Sequence, residues 1–203
     1  MSIITISRGP FSGGKAVAEH LGVRLGCPVL SREQVLHQAA SDYGISEREL
    51  ADSLNQPPPF WQQVLGKRLA YVKCVTAVLL DHVRQGNLVY HGHVGHLLLA
   101  GVPHVLRVRV IASLEQRLRA AMERGGLDRG QAIAHIQQVD QERSRWAQVL
   151  YGVNWNDPAQ YDVIVNLERV TITAACETLA RMCELDVSSP TDASRKQLED
   201  ISL

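Results

Sequence analysis

Two periods alternate along this chain, one near two residues and one near 3.6, and together they predict its elements. Residues 2–7, SIITIS, form a short β-branched run that ends in a glycine-rich stretch, after which Val17, Ala18, Leu21 and Leu25 recur at helical spacing. That is strand, loop, helix. A second apolar piece, Cys27 to Leu30, leads into SREQVLHQAA, where Ser31 caps a helix carrying Val35, Leu36 and Ala39 on one face. GISERELADSL adds a short helix from a cap at Ser46, and Pro57–Pro59 stop it. From Phe60 to Gln85 the series Leu65, Leu69, Val72, Val75, Val78, Leu79, Val83 describes a long amphipathic helix, ended by Gly86-Asn87. LVYH then reads as a buried strand, a Gly-His turn follows, and LLLA is a short helix. VLRVRVIA is a strand with alternating character at Arg107 and Arg109, and Ser113 caps LEQRLRAAMERGG. Residues 128–150 form a polar helix, YGVNWNDPAQ a loop, YDVIVNLE a last buried strand and Thr171–Leu185 a closing helix. The Ser-, Asp- and Thr-rich tail 186–203 is expected to fray and stay disordered.

Strands separated by helices, most of them apolar runs without clean alternation, call for a parallel sheet covered on both faces. The expected fold is α/β: five parallel strands in a doubly wound core, forming one domain over 1–185. It carries a helical insertion at 33–85 and a lid at 126–158. The length of 203 residues suits such a core, with 45% hydrophobic and 21% charged residues. Twenty-one basic residues balance twenty-one acidic ones, which argues against a nucleic-acid coat or a membrane-surface protein but leaves room for a local basic pocket. No apolar run approaches the roughly 20 residues of a membrane helix. The four cysteines form no Cys-x-x-Cys pair, so neither a disulfide framework nor a zinc knuckle is indicated. The expectation is a reduced, cytoplasmic protein.

The chemistry enters between the first strand and the first helix. Gly9-Pro-Phe-Ser12-Gly13-Gly14-Lys15-Ala16 fits G-x-x-x-x-G-K with alanine where serine or threonine is usual. Glycines let backbone N–H groups turn toward one point, the helix N-terminus adds the positive end of a dipole, and Lys15 supplies a mobile charge. Polyphosphate binding follows naturally. The bland alternative is a glycine-rich turn beside an exposed lysine.

IITISRGPFSGGKAVAEHLGVRLGCPVLSREQV resembles the start of the cytidylate kinase-like family of P-loop nucleoside monophosphate kinases. LRVRVIASLEQRLRAAMERGGLDRGQAIAHIQQVDQERSRW, followed by LYGVNWNDPAQYDVIVNLERV, looks like the family's arginine-bearing strand and helix, its Asp-x-x-Arg lid and its Tyr-Gly-x-x-Trp-x-Asp-Pro-x-x-Tyr-Asp signature. The resemblance spans residues 3–182 and implies an ATP- and Mg²⁺-dependent kinase acting on a nucleoside monophosphate, most plausibly CMP or dCMP. Gly9, Ser12, Gly13, Gly14, Lys15 and Ala16 would hold the donor phosphates. Arg143 matches the lid arginine that closes over the transferring phosphoryl group, Asp140 would orient it, and Arg117 would add a second positive contact. Arg32 and His93 would contact the acceptor. Tyr151, Trp155, Asp157, Tyr161 and Asp162 read better as the packing that fixes the lid hinge to the last strand.

Three positions depart from the pattern. Ala16 lacks the hydroxyl usually directed at magnesium, Ser31 stands where a carboxylate is expected, and Gly92-His93 replaces Gly-Arg. If 31 and 93 are losses, Ser31→Asp with His93→Arg should raise CMP phosphorylation. The alternatives are a nucleotide-binding regulatory module with little turnover, or a structural protein using the fold alone. His91, His93, His96 and His104 are spaced too loosely for a metal site, and none is assigned. Phe60-Trp61 could stack on a base, although an aromatic anchor for the long helix is the commoner role.

Overall fold

The computed structural model describes residues 2–55, 62–102 and 104–185, with 191, 193 and 196 beyond them. Pro57–Pro59, Phe60-Trp61 and most of the 186–203 tail lie outside the described residues, as does the side chain of Leu65.

The elements run β1 (Ile3–Arg8), α1 (Gly14–Leu25), β2 (Val29–Ser31), α2 (Arg32–Tyr43), α3 (Glu47–Asn55), α4 (Gln62–Arg84), β3 (Leu88–Gly92), α5 (Gly95–Leu98), β4 (Val105–Ile111), α6 (Leu114–Gly125), α7 (Arg129–Tyr151), β5 (Val163–Asn166) and α8 (Ile172–Glu184). All five strands are parallel, in the order β2-β3-β1-β4-β5. β1 is therefore central, and the chain leaves it toward β2 on one side and later returns to β4 on the other. Ligands of open α/β sheets bind at the carboxyl ends of strands where the winding reverses, and that point here is the end of β1.

The side-chain period of two divides β1 between two cores. Ile3 packs with α2, α4 and the carboxyl half of α7, where Leu36, Val75, Leu79 and Trp146 are buried. Ile4 and Ile6 face α1 and α8, meeting Val17, Leu21, Cys176 and Leu179. Each such aliphatic side chain contributes about 1.5–3 kcal/mol by leaving water. A third, small cluster of Leu118, Ala121, Ala132 and Ile136 joins α6 to the start of α7.

Helix starts follow the local chemistry. Ser31 and Gln34 make a reciprocal capping box on α2, Asp128 and Gln131 do the same on α7, and Ser113 and Thr171 cap α6 and α8. Two readings are corrected. β5 is an edge strand and not fully buried, with Ile164 43% exposed. The short helix starts at Gly95, two residues before LLLA, because Val94 takes a left-handed conformation (φ 52°) and turns the chain early.

Candidate functional site

The glycine-rich segment leaves β1 at Arg8 and enters α1 at Gly14. Gly13 sits at φ 84° as the residue before the helix, a conformation open to glycine without penalty. Ser12 Oγ donates to the Gly9 carbonyl at 3.0 Å, closing the loop on itself. Gly9 is required for space: a Cβ there would lie 2.9 Å from Arg117 Nη2. Lys15 is solvent-facing and lies 3.7 Å from Glu19, a weak pair one helical turn away. A hollow of about 480 Å³ opens over this loop, reaching from Arg8 through Lys15 to Arg124 and His135.

A second hollow of about 290 Å³ adjoins it, lined by Arg8, Pro10, Arg32, Glu33, His93, His135, Val139, Glu142 and Arg143. Arg8, Pro10 and His135 belong to both. A third, of about 410 Å³, lies behind the loop between Phe11, Arg119, Arg124, Leu167 and Val170. A larger hollow, about 620 Å³, is elsewhere, at the amino end of β4 around Leu99, Val105 and the Arg107–Asp162 pair, and includes none of the loop residues.

Arginines dominate the junction. Arg117 reaches from α6 to donate from Nε to the Pro10 carbonyl at 2.9 Å and forks onto Asp140 of α7 at 2.7 and 3.0 Å. Arg143 Nη1 donates to the Arg8 carbonyl. Asp140, expected to orient Arg143, gives both its oxygens to the planar fork of Arg117, 23 residues away in sequence, and acts on Arg143 through charge alone. Burial, then the neighbouring Arg8 and Arg32, push Arg143 down to about 10. Arg8 is likewise lowered, by burial first and in part by Arg32, while Glu33 opposes. Guanidiniums that depress one another are short of negative charge, so an anion entering either hollow relieves them. Burial alone would raise the Glu33 carboxyl, but hydrogen bonds from its own backbone and Ser31, with Arg32 and Arg8, leave it below the usual range.

His93 sits at the back of the second hollow, 5.3 Å from the ring of Trp146 and 5.8 Å from that of Trp155. Both its nitrogens are enclosed and bond to nothing. Burial, then Arg143 and Arg32, hold its pKa well below 6.5. The ring is thus an uncharged wall, and a charged histidine gripping phosphate is not what this packing presents. Ser31 is committed to the cap of α2, its Oγ accepting from Gln34 N at 3.2 Å. His96 Nδ1 bonds Ser7 Oγ at 2.9 Å and its ring lies 4.7 Å from Tyr161. Among the described residues no three His, Cys, Asp or Glu side chains are grouped to hold a metal.

The Tyr-Gly-x-x-Trp segment is fastened by Arg109 on β4. Its guanidinium lies 3.6 Å from the centre of the Trp155 ring and donates to the Trp155 carbonyl, Tyr161 Oη and Asn156 Oδ1. Arg107 forks onto the Asp162 carboxylate, and Asp157 caps the short turn at Pro158–Gln160. These residues pack and pin the chain between α7 and β5, with Trp155 against His93 at the back of the second hollow.

Of the residues singled out in the sequence, Gly9 to Ala16, Arg32, Arg117, Asp140, Arg143 and His93 all come to the carboxyl ends of β1 and β3. Arg8, Glu33, His135 and Glu142 line the same space and were not singled out as site residues. Arg8 had a signal, since it is the residue between the strand and the loop; His135 and Glu142 had none beyond lying in α7.

Residues 3–169 match the cytidylate kinase-like family. A cytidylate kinase from Ignicoccus hospitalis is 27% identical over 184 residues, covering 90% of this chain and 99% of its own. One from Pyrobaculum aerophilum is 22% identical, with 86% and 89% covered. Among solved structures, an uncharacterized protein from Eubacterium ventriosum aligns with a TM-score of 0.71 at 17% identity, over 91% of this chain and 99% of that one. Shikimate kinase from Bacteroides thetaiotaomicron aligns at 0.55 and 11% identity, with 91% and 99% covered. These two share the fold.

Proposed function

We propose that this chain, which belongs to the cytidylate kinase-like family, transfers a phosphoryl group from ATP to a nucleoside monophosphate, with CMP or dCMP the foremost acceptor. One observation carries the reading: the loop hollow and the arginine-lined hollow lie side by side and share Arg8, Pro10 and His135 as lining. A donor phosphate over the loop and an acceptor anion on the arginines would then face one another. Phosphoryl transfer needs two ends held in line and charge held against the moving oxygens, and little covalent help.

In this reading Gly9, Ser12, Gly13, Gly14 and Ala16 shape the backbone cradle, and Lys15 swings from Glu19 to the β- and γ-phosphates. The hollow between Phe11, Arg119 and Arg124 takes the donor's base. Arg8 and Arg32 bind the acceptor phosphate. An acceptor oxygen attacks the γ-phosphorus while the bond to the bridging oxygen of ADP breaks. Arg143 follows the charge that spreads over the transferring group, and Arg117, braced by Asp140, holds the loop carbonyl at Pro10. The residues fit magnesium as an ion carried on phosphate oxygens and water, since Ala16 offers no oxygen and the Ser12 hydroxyl is given to Gly9. Glu33, which lines the adjoining hollow, would be the carboxylate to help hold such an ion, and the ion would supply charge neutralisation for the transferring phosphate.

A second reading, a nucleotide-binding module without turnover, is favoured by Ala16, by Ser31 engaged as a cap and by the uncharged His93. A panel of nucleoside monophosphates with ATP and magnesium, scored for ADP, separates the two. ADP formed with CMP or dCMP supports the kinase. ATP binding without ADP from any monophosphate supports the module. Calorimetry supplies the binding arm: Lys15→Ala should weaken ATP by about 1.5–3 kcal/mol, and unchanged affinity would overturn the cradle itself.

A further inference from the structure

Phe11 lies in the loop at φ 59°, one of two non-glycine residues with positive φ among the described residues. An aromatic side chain pays a steric penalty there that glycine would not, so something outside the loop must hold it. What holds it is the α6–α7 hairpin. The ring joins the small cluster of Leu118, Ala121, Ala132 and Ile136 and meets the His135 ring edge-on at 5.9 Å. At the end of α6 the chain has Gly125, where a Cβ would stand 3.2 Å from Phe11 Cζ and 3.3 Å from Cε1. The seat is thus cut to the ring on both sides.

Phe11 also lines the hollow over the loop and the hollow behind it. The Pro10 carbonyl beside it is held by Arg117, and the Arg8 carbonyl by Arg143 of α7. The backbone between β1 and α1 is thus tied to α6 and α7 by two arginine hydrogen bonds and one apolar plug. The hydrogen bonds orient single carbonyls. The plug is what fixes the unfavourable φ, and with it the direction of the N–H groups that follow.

We propose that Phe11 is a positioning residue: its ring, seated in the α6–α7 hairpin, holds the loop in the shape that binds donor phosphates. The proposal rests on the reading of the loop as an ATP cradle. Nucleotide affinity then depends on an apolar contact outside the cradle, and nucleotide binding tightens the packing of α7 in return, as linkage requires.

The test is ATP calorimetry and thermal unfolding on wild type, Phe11→Ala, Phe11→Leu, Gly125→Ala and the Phe11→Ala/Gly125→Ala double variant. Phe11→Ala keeps the strained backbone and loses the plug. If the binding shape falls to a tenth of the population, ATP affinity drops about tenfold. Phe11→Leu, which refills the seat, should recover most of it. Gly125→Ala is the decisive arm: alanine favours the helix, so the melting temperature should rise while ATP affinity falls a few-fold as the ring is crowded. In the Phe11→Ala background the same change should raise stability with no loss of affinity, a non-additivity that a purely structural role would not produce. ATP affinity unchanged in both Phe11→Ala and Gly125→Ala overturns the proposal and leaves the cradle standing. A wild type that binds no ATP overturns both.

Discussion

Acidification should unfold this protein through its buried histidines. His91, His93 and His96 are each no more than 5% exposed. Burial, followed by nearby arginines, pushes His91 and His96 down to about 4 and holds His93 well below its ordinary value. In the unfolded chain all three return to about 6.5. Between pH 6.5 and 4 the unfolded chain therefore carries protons that the folded one refuses, and stability falls as pH falls across that window. Each histidine contributes a slope approaching about 1.4 kcal/mol per pH unit. From pH 7 to 5.5, His91 and His96 together cost about 2–3 kcal/mol, and His93, also lowered, adds a loss of the same sign. Domains are stable by only about 5–15 kcal/mol, so the loss is large. Glu33 and Asp162, both held below their usual range, add losses of the same sign at lower pH. Urea unfolding at pH 7.5, 6.5 and 5.5 measures the slope directly, and ring-proton NMR gives the individual titrations. Equal stability at pH 7 and 5.5, or His91 and His96 titrating near 6.5 in the folded protein, would refute the reasoning.

Asp140→Asn leaves the Arg117 guanidinium, 13% exposed, without its counter-charge; thermal unfolding should show a loss of about 1–3 kcal/mol, together with slower ADP formation. If the proposed transfer is right, Arg143→Ala should lower kcat about a hundredfold or more with little change in KM, since its charge would then be needed mainly as the phosphoryl group moves; equal kcat in steady-state assays would reduce Arg143 to a strut on the Arg8 carbonyl. Ser31→Asp should leave the melting temperature of α2's protein core unchanged, since aspartate caps as well as serine, and should raise kcat for CMP. His93→Arg should instead destabilise by about 3 kcal/mol or more in the same melt, because it buries a further cation beside Arg32, Arg143 and Arg109.

That last pair shows where reading the chain as a string breaks down. At position 31 the sequence was sufficient: a serine before REQV is a helix cap, and the cap is there. At position 93 the sequence offered a histidine beside a glycine and invited a swap for arginine. What argues against the swap is Trp146 and Trp155, 53 and 62 residues downstream, closing on the ring from α7 and the loop after it. The elements themselves were legible because period and caps are local, from SIITIS to the closing helix. The errors fell where a neighbour decided: β5 reads as buried until its place at the edge of the sheet is known, and Val94 and Phe11 occupy left-handed backbone that no local preference of valine or phenylalanine would indicate.

The arginines make the same point in charge. A chain with as many acids as bases gives no hint of a basic pocket, and Asp140 with Arg143 looks like an ordinary pair one turn apart on a helix. Folding redistributes those charges. Arg117 comes from α6, takes Asp140 for itself and leaves Arg143 facing Arg8 and Arg32 with its hydrogen bond given to a main-chain carbonyl. Asp140 still favours the charge on Arg143 from a distance, but its hydrogen bonds go to Arg117. What remains over the second hollow is a surplus of positive charge beside a glycine-rich turn, created by which partner Asp140 chose. That arrangement is a property of the fold that neither segment carries alone, and it is what the proposed anion site rests on.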